Sequence, residues 1–301
     1  LWKFKERVEL FKGKILKMST APARIHQDIL QNVNQIFYMH FNGNPCKVYF
    51  APFDVRLPRN NGEIITVVQP DLCVVCDLCK LDERGCIGAP DLVVEILSPG
   101  NAKKELLHLG NYASKAFDLS YNYIIDLNEK VAEKGHKTEE AINTIDEKLT
   151  RYLITLSSEA LSQKESEVLT NILDSSRDLE RIGDHAEALI NLTDYLQRKN
   201  VEFSEAALQE LADIYQKTTD FIKDALDSVE NNDIEKAQSL IERHKEINNM
   251  ERVLRKTHIK RLNKGECSTQ AGVNFIDIIS HYTRVSDHAM NLAEKVIAEQ
   301  I

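Results

Sequence analysis

No proline occurs in the 201 residues from Asn101 to Ile301, although seven punctuate the stretch before them, the last at Pro99. Proline lacks an N–H and fixes φ, so it ends helices, and a proline-free run of this length is what a set of long helices requires. The charge balance changes at the same place. Residues 1–100 hold 12 Lys+Arg against 11 Asp+Glu, whereas the remainder holds 26 against 36. Five of the six cysteines also precede residue 100. A chain of 301 residues has room for two ordinary domains. The composition divides it into a partial α/β segment over 1–100 and an all-α domain over 101–301.

Within the helical region a nine-residue stretch is repeated. Asp178-Leu-Glu180-Arg181-Ile-Gly-Asp184-His185-Ala186 returns 103 residues later as His281-Tyr-Thr283-Arg284-Val-Ser-Asp287-His288-Ala289, and Asn171 and Asp174 return as Asn274 and Asp277. A duplication at this spacing predicts two three-helix bundles, over about 101–198 and 203–301. Asn101, Asn128, Ser204, Asp233 and Ser268 stand where helix N-caps are expected, Ser162-x-x-Glu165 reads as a capping box, and Gly265 follows a helix end. His136-Lys137 and His244-Lys245 occupy corresponding places in the two middle helices. At about 100° per residue Glu180, Asp184 and Glu187 form one stripe, and Asp174, Asp178, Arg181 and His185 form another. Between them runs an apolar seam of Ile172, Leu179, Ile182, Ala186 and Ile190. Acid stripes beside a buried seam are either solvated flanks with internal ion pairs or carboxylates that converge on a cation.

These motifs carry a resemblance. Glu180-Arg-Ile-Gly-Asp184-His-Ala and Arg284-Val-Ser-Asp287-His-Ala-Met-Asn-Leu-Ala-Glu294 resemble the paired signatures of the PhoU family of phosphate-uptake regulators, above all the PhoU-like cytosolic domain of sodium/phosphate cotransporters. The resemblance spans about 101–301. It implies a non-catalytic regulatory module that holds iron or another divalent metal on Glu/Asp-x-x-x-Asp motifs. Glu180, Asp184 and Asp287 are the implied oxygen ligands, with Asp178, Glu187 and Glu294 as further candidates. Thr283 replaces the acid of the second motif, so one ligand of a full cluster is missing. The implied partner is a phosphate transporter or a phosphate-signalling protein, and a homo-oligomer is expected.

The first hundred residues read differently. The alternation around Gly13 from Arg7 to Met18 predicts a hairpin, and a helix is expected from about Ala23 to Phe41. Short β-rich runs follow at Cys46 to Phe50, Phe53 to Leu57, Thr66 to Cys76 and Asp91 to Leu97. The last two are apolar nearly throughout, as for strands covered on both faces. Asp71 and Glu95 fall on these two runs, where carboxylates on adjacent strands hold Mg²⁺ for phosphodiester cleavage; the alternative is that Asp71 and Asp91 are turn residues opening strands. Cys73, Cys76, Cys79 and Cys86 have a metal-like spacing. In a strand, however, a separation of three puts Cys73 and Cys76 on opposite faces, and reduced cysteines are expected.

Ala51-Pro-Phe-Asp-Val-Arg-Leu57, Gln69-Pro-Asp71-Leu72 and Pro90-Asp-Leu-Val-Val-Glu95-Ile-Leu-Ser-Pro99 resemble the Uma-type restriction endonucleases of the PD-(D/E)XK superfamily, over roughly 4–105. That resemblance implies Asp71 and Glu95 as catalytic metal ligands, Mg²⁺ as cofactor and DNA as substrate. Leu107, Leu109 and Gly110 stand where basic residues and a tyrosine belong, and no closing strand follows, so a degenerate or incomplete nuclease is expected. The two resemblances meet at Ser98 to Leu106 without a Gly/Ser linker, which suggests two joined fragments. Leu1 does not look like a natural start. No apolar run reaches the roughly 18 residues needed to span a bilayer, and no signal peptide opens the chain. The expectation is a soluble cytoplasmic protein, peripheral to the inner membrane through a transporter partner. The acidic second half argues against nucleic acid there, because phosphate neutralisation needs clustered Lys and Arg.

Overall fold

Gly13 sits at φ +86°, a conformation glycine adopts without strain, and there the chain turns between β1 (Val8–Phe11) and β2 (Lys14–Lys17). A computed structural model describes residues 8–11, 13–17, 24–59, 61–96, 99–157 and 163–301. The chain splits into two compact units, Leu1–Gly100 and Asn101–Ile301.

In the first unit α1 (Arg24–Phe41) follows the hairpin, and then come β3 (Lys47–Phe50), β4 (Asp54–Pro58), β5 (Ile64–Val68), β6 (Leu72–Val75), β7 (Leu81–Asp82), β8 (Gly85–Ile87) and β9 (Leu92–Val94). They form two sheets, ordered β2-β1-β5-β4-β8-β7 and β3-β6-β9. All described pairings are antiparallel except β4 with β8. The apolar run expected over Thr66 to Cys76 is two strands, because Gln69-Pro70-Asp71 breaks it and sends β5 and β6 to different sheets. β6 is the central strand of its sheet and is buried throughout. β9 departs from expectation: as an edge strand it leaves Leu92 and Val93 exposed at 43 % and 46 %.

Two of the cysteines also depart from expectation. The β3–β6 register pairs Lys47 with Val75, so Cys46 and Cys76 fall opposite one another at the next step, and they are joined in a disulfide. Cys73 lies in the buried cluster with Val55, Val75 and Cys86. Burial, reinforced by Cys86, pushes its thiol up to about 11.

The second unit is six long helices: α2 (Pro99–Asp126), α3 (Glu129–Ser157), α4 (Gln163–Arg198), α5 (Glu205–Asn231), α6 (Ile234–Asn263) and α7 (Thr269–Ile297). Proline suits a first helical position because its absent N–H is unsatisfied there anyway, so α2 starts at Pro99 and Asn101 lies inside it rather than capping it. Asn128 caps α3 by accepting from the N–H of Lys130 at 3.1 Å. Ser204, Asp233 and Ser268 cap α5, α6 and α7 through their side chains, and Gly265 follows α6 at φ +73°. Ser162 lies outside the described residues.

The expected seam of α4 is the core of the unit. Ile172, Leu179, Ile182, Ala186 and Ile190 are all buried to within 1 %. α3 packs on α4, α6 on α7, and α4 and α5 on α7. The α3–α4 crossing is close because of two glycines. A Cβ at Gly183 would stand 2.9 Å from Ile142 Cδ1, and one at Gly135 would stand 2.3 Å from Ile190 Cδ1. Among the described residues no helix is long and apolar enough to cross a membrane.

Candidate functional site: the acidic faces of the duplicated helices

The two stripes of α4 face different neighbours. Glu180, Asp184 and Glu187 look toward α3, where sequence reasoning missed their opposite numbers. Glu139 is 9 % exposed and accepts from the Asn143 amide on its own helix. Asp146 keeps one carboxylate oxygen, Oδ1, buried without a hydrogen-bond partner. His136 Nδ1 lies 3.4 Å from Glu187 Oε1. Residues 136, 139, 143 and 146 are spaced by three or four, so the helical period alone marks them as one face of α3.

Burial pushes the Glu139 carboxyl above the usual carboxylate range, and Glu187 adds to the rise. Glu180 is raised by burial and then by Asp184. Asp184 is raised by burial, which outweighs the pull of Arg181. Among the described residues' ion pairs, Arg181 is the one cation that touches Glu180 and Asp184, at 3.7 Å and 3.6 Å, and its side chain is 63 % exposed.

The corresponding face between α6 and α7 is built otherwise. Asp287 lies 2.8 Å from His244 Nε2, and the amide of Asn248 reaches the same imidazole nitrogen. Glu251 is paired with Arg255, which also donates to Ser280 Oγ at 2.9 Å. Thr283, standing where α4 has Glu180, turns its hydroxyl to the carbonyl of Ile279. Asp287 therefore does not join Glu180 and Asp184.

Asp178 and Glu294 face the α4–α7 side. Asp178 accepts from Asn291 at 2.8 Å, lies 3.0 Å from His288 Nδ1 and 3.6 Å from Lys295 Nζ, so its charge is answered inside the fold. Glu294 lines a groove with Asp174, Asp178 and Lys295. The equivalent of the Asp178–His288 contact, 103 residues on, is His281 with His185, Nδ1 to Nδ1 at 3.0 Å. The six implied ligands thus fall in three places. Among the described residues no three His, Cys, Asp or Glu side chains converge closely enough to hold a metal ion.

In the first unit Asp71 immediately precedes β6 and Glu95 immediately follows β9, and the register pairs Leu72 with Val94, which sets the two acids at the next cross-strand step. Asp71 Oδ2 accepts from the N–H of Ile96 at 2.7 Å and lies 3.1 Å from Nε2 of the buried His26. Glu95 is exposed. Leu109 and Gly110, where the nuclease pattern wants other side chains, belong to the helical core: Leu109 is fully buried, and a Cβ at Gly110 would meet Leu226 Cδ2 at 2.3 Å.

Comparison with known proteins matches both parts of the chain. A PhoU domain family model matches residues 106–193 and 211–296. The Uma2 model, described as "Putative restriction endonuclease", matches residues 3–132, so residues 106–132 are matched by both. The chain is 30 % identical over 178 residues to the phosphate-specific transport system accessory protein PhoU homolog 1 of Thermotoga maritima, covering 59 % of this chain and 68 % of that protein. It is 23 % identical over 197 residues to the PhoU homolog of Clostridium acetobutylicum, covering 64 % and 88 %. Among solved structures, PhoU from Pseudomonas aeruginosa superposes with a TM-score of 0.62 at 21 % identity, over 65 % of this chain and 94 % of that one. The phosphate transport system regulatory protein PhoU from Streptococcus pneumoniae gives 0.60 at 20 %, over 67 % and 97 %. The duplicated family model covers more than half of the sequence, and the chain belongs to the PhoU family.

Proposed function

We propose that the helical unit is a phosphate-transport accessory module that holds a divalent cation on the α3–α4 face and works by contact with a phosphate transporter, of the sodium/phosphate cotransport type, or a phosphate-signalling protein. One observation carries the metal reading: five carboxylates gather on one helix crossing, burial raises three of them, and an oxygen of Asp146 is buried with nothing to bond. Such an arrangement costs stability unless a cation answers it. Glu180 and Asp184, with Glu139 and Asp146 opposite, would hold a hard ion through oxygen once their side chains drew closer than they stand here; their chemistry suits iron or another divalent metal. In its absence the carboxylates repel and lean on Arg181. That contact is exposed, so a metal can displace it at little cost. The α6–α7 face does not offer the same fit, because Thr283 replaces an acid and Arg255 already neutralises Glu251. Elemental analysis of the full chain beside Glu180→Ala/Asp184→Ala tests the reading. Stoichiometric metal in the parent and loss in the variant is the expected result; equal metal content in both would place the ion elsewhere.

A second reading rests on the register of the first unit. Asp71 and Glu95, at the adjoining ends of neighbouring strands, are the arrangement a Mg²⁺-dependent DNA endonuclease needs. His26 and the Ile96 N–H occupy Asp71 instead, as they would a structural carboxylate. Mg²⁺-dependent plasmid nicking that disappears in Asp71→Ala would establish the activity.

A further inference from the structure

Two grooves flank the α4–α7 contact, and the internal duplication relates them residue by residue. One is lined by Asp174, Asp178, Glu294 and Lys295 and the other by Asn191, Leu192, Tyr195, Asp277, His281 and Arg284. In the first groove Lys295 and the two aspartates are answered by neighbouring side chains. Lys295 Nζ lies 3.0 Å from Ser175 Oγ and 3.6 Å from Asp178 Oδ2, Asn291 donates to Asp178, and Asp174 lies 3.8 Å from Arg177.

In the second groove, of about 690 Å³, those partners are gone. Leu192 stands for Lys295, Ala188 for Asn291 and His281 for Asp178, so the Lys295–Asp178 ion pair and its Asn291 support have no counterpart here. Ser280 stands for Arg177, which leaves Asp277 without an ion pair or hydrogen bond among the described residues. Thr283 stands for Glu180, and Asp287 is engaged by His244, which leaves Arg284 likewise without one. The helix thus presents an unpaired guanidinium and an unpaired carboxylate, two turns apart, to the same groove.

The neutral groups there are donors. Tyr195 accepts from the Gln270 amide at 2.8 Å and so keeps its own O–H to give. Asn191 brings an amide. The permanent charges around His185 and His281 are the guanidiniums of Arg181 and Arg284 and the carboxylate of Asp277.

We propose that the groove between α4 and α7 beside Arg284 binds a small protonated oxyanion, of the hydrogen phosphate type, with Arg284 answering its charge and Asp277 accepting from its O–H. A guanidinium pairs well with an oxyanion, and a carboxylate in the same site rejects any anion that has no proton to donate. Sulfate, fully deprotonated near neutral pH, is therefore excluded where phosphate is accepted. This site lies on the opposite stripe of α4 from the acids facing α3.

The test is phosphate binding to the full chain by calorimetry in the presence of a chelator, so that metal-held anion does not contribute. Inorganic phosphate should bind and sulfate should not compete. Arg284→Gln, at an exposed position, should weaken binding by on the order of tenfold, the value of one charge-assisted contact. Thr283→Glu, which returns the acid that Arg181 has in the first repeat, should do the same, whereas Arg181→Gln should leave binding unchanged. Asp277→Asn should admit sulfate. Absence of phosphate binding, equal affinity in Arg284→Gln, or competition by sulfate in the parent protein would each overturn the proposal.

Discussion

The α3–α4 and α6–α7 helix pairs come from one duplicated pattern and share a seam, yet their polar faces differ. On the first, carboxylates crowd together with a single exposed arginine between them. On the second, His244, Asn248, Arg255 and Thr283 take up or replace every acid. Apolar positions are held by packing, which tolerates little change in volume. Exposed charged positions are not held by packing, so the two repeats are free to diverge there. The common seam therefore accounts for stability, and the difference between the two faces is where the proposed metal binding can be tested.

The largest effect should be common to both halves. Ile182→Ala, and Val285→Ala at the matching position of α7, remove fully buried side chains and should each lower stability, the isoleucine change by about 2–5 kcal/mol in denaturant melts. Unequal behaviour, with one half indifferent, would break the idea of a shared seam.

Metal should separate the halves. A divalent ion at a hundred times its Kd should stabilise the parent by about 2.7 kcal/mol. That gain should vanish in Asp184→Ala and persist in Asp287→Ala, read as shifts in melting temperature with and without chelator. Loss in both variants would mean that the α7 acid contributes after all.

A smaller effect follows from pH. The carboxyls of Glu139, Glu180 and Asp184 have higher pKa values folded than unfolded, so the folded state binds the extra protons. Without metal, their contribution disfavours the fold at neutral pH and is relieved as pH falls through the raised values toward the ordinary carboxylate range. Relative to Glu180→Gln/Asp184→Asn, the metal-free parent should gain stability on acidification. A constant difference across that window would contradict the crowding. The smallest effect is expected from Arg151→Ala, whose partner Glu147 is equally solvated: under about 0.5 kcal/mol.

Much of this was legible in the sequence. The caps at Asn128, Ser204, Asp233 and Ser268 act locally, so their residue types announce them. The seam through Ile172 to Ile190 follows from period alone. The partition of six acids among three sites does not, because it depends on which helix lies across from each stripe, and that is a tertiary fact. Glu139 and Asp146 were within reach of the same period argument but lay outside the repeated motif. The Cys46–Cys76 disulfide escaped because it depends on the β3–β6 register, and the edge position of β9 escaped because apolar composition does not distinguish a central strand from a border one.

Gly183 and Gly135 give the crossing a further meaning. Each glycine receives an isoleucine side chain from the facing helix, Ile142 at Gly183 and Ile190 at Gly135, in the place a Cβ would take. At the α3–α4 crossing the two missing methyl groups let those isoleucines nest, and the rows of carboxylates flank that nested contact. The field a cation would meet there is thus metered by residues that carry no charge. Gly183→Ala would act as a wedge on an electrostatic gauge, loosening the acids from each other without touching one of them.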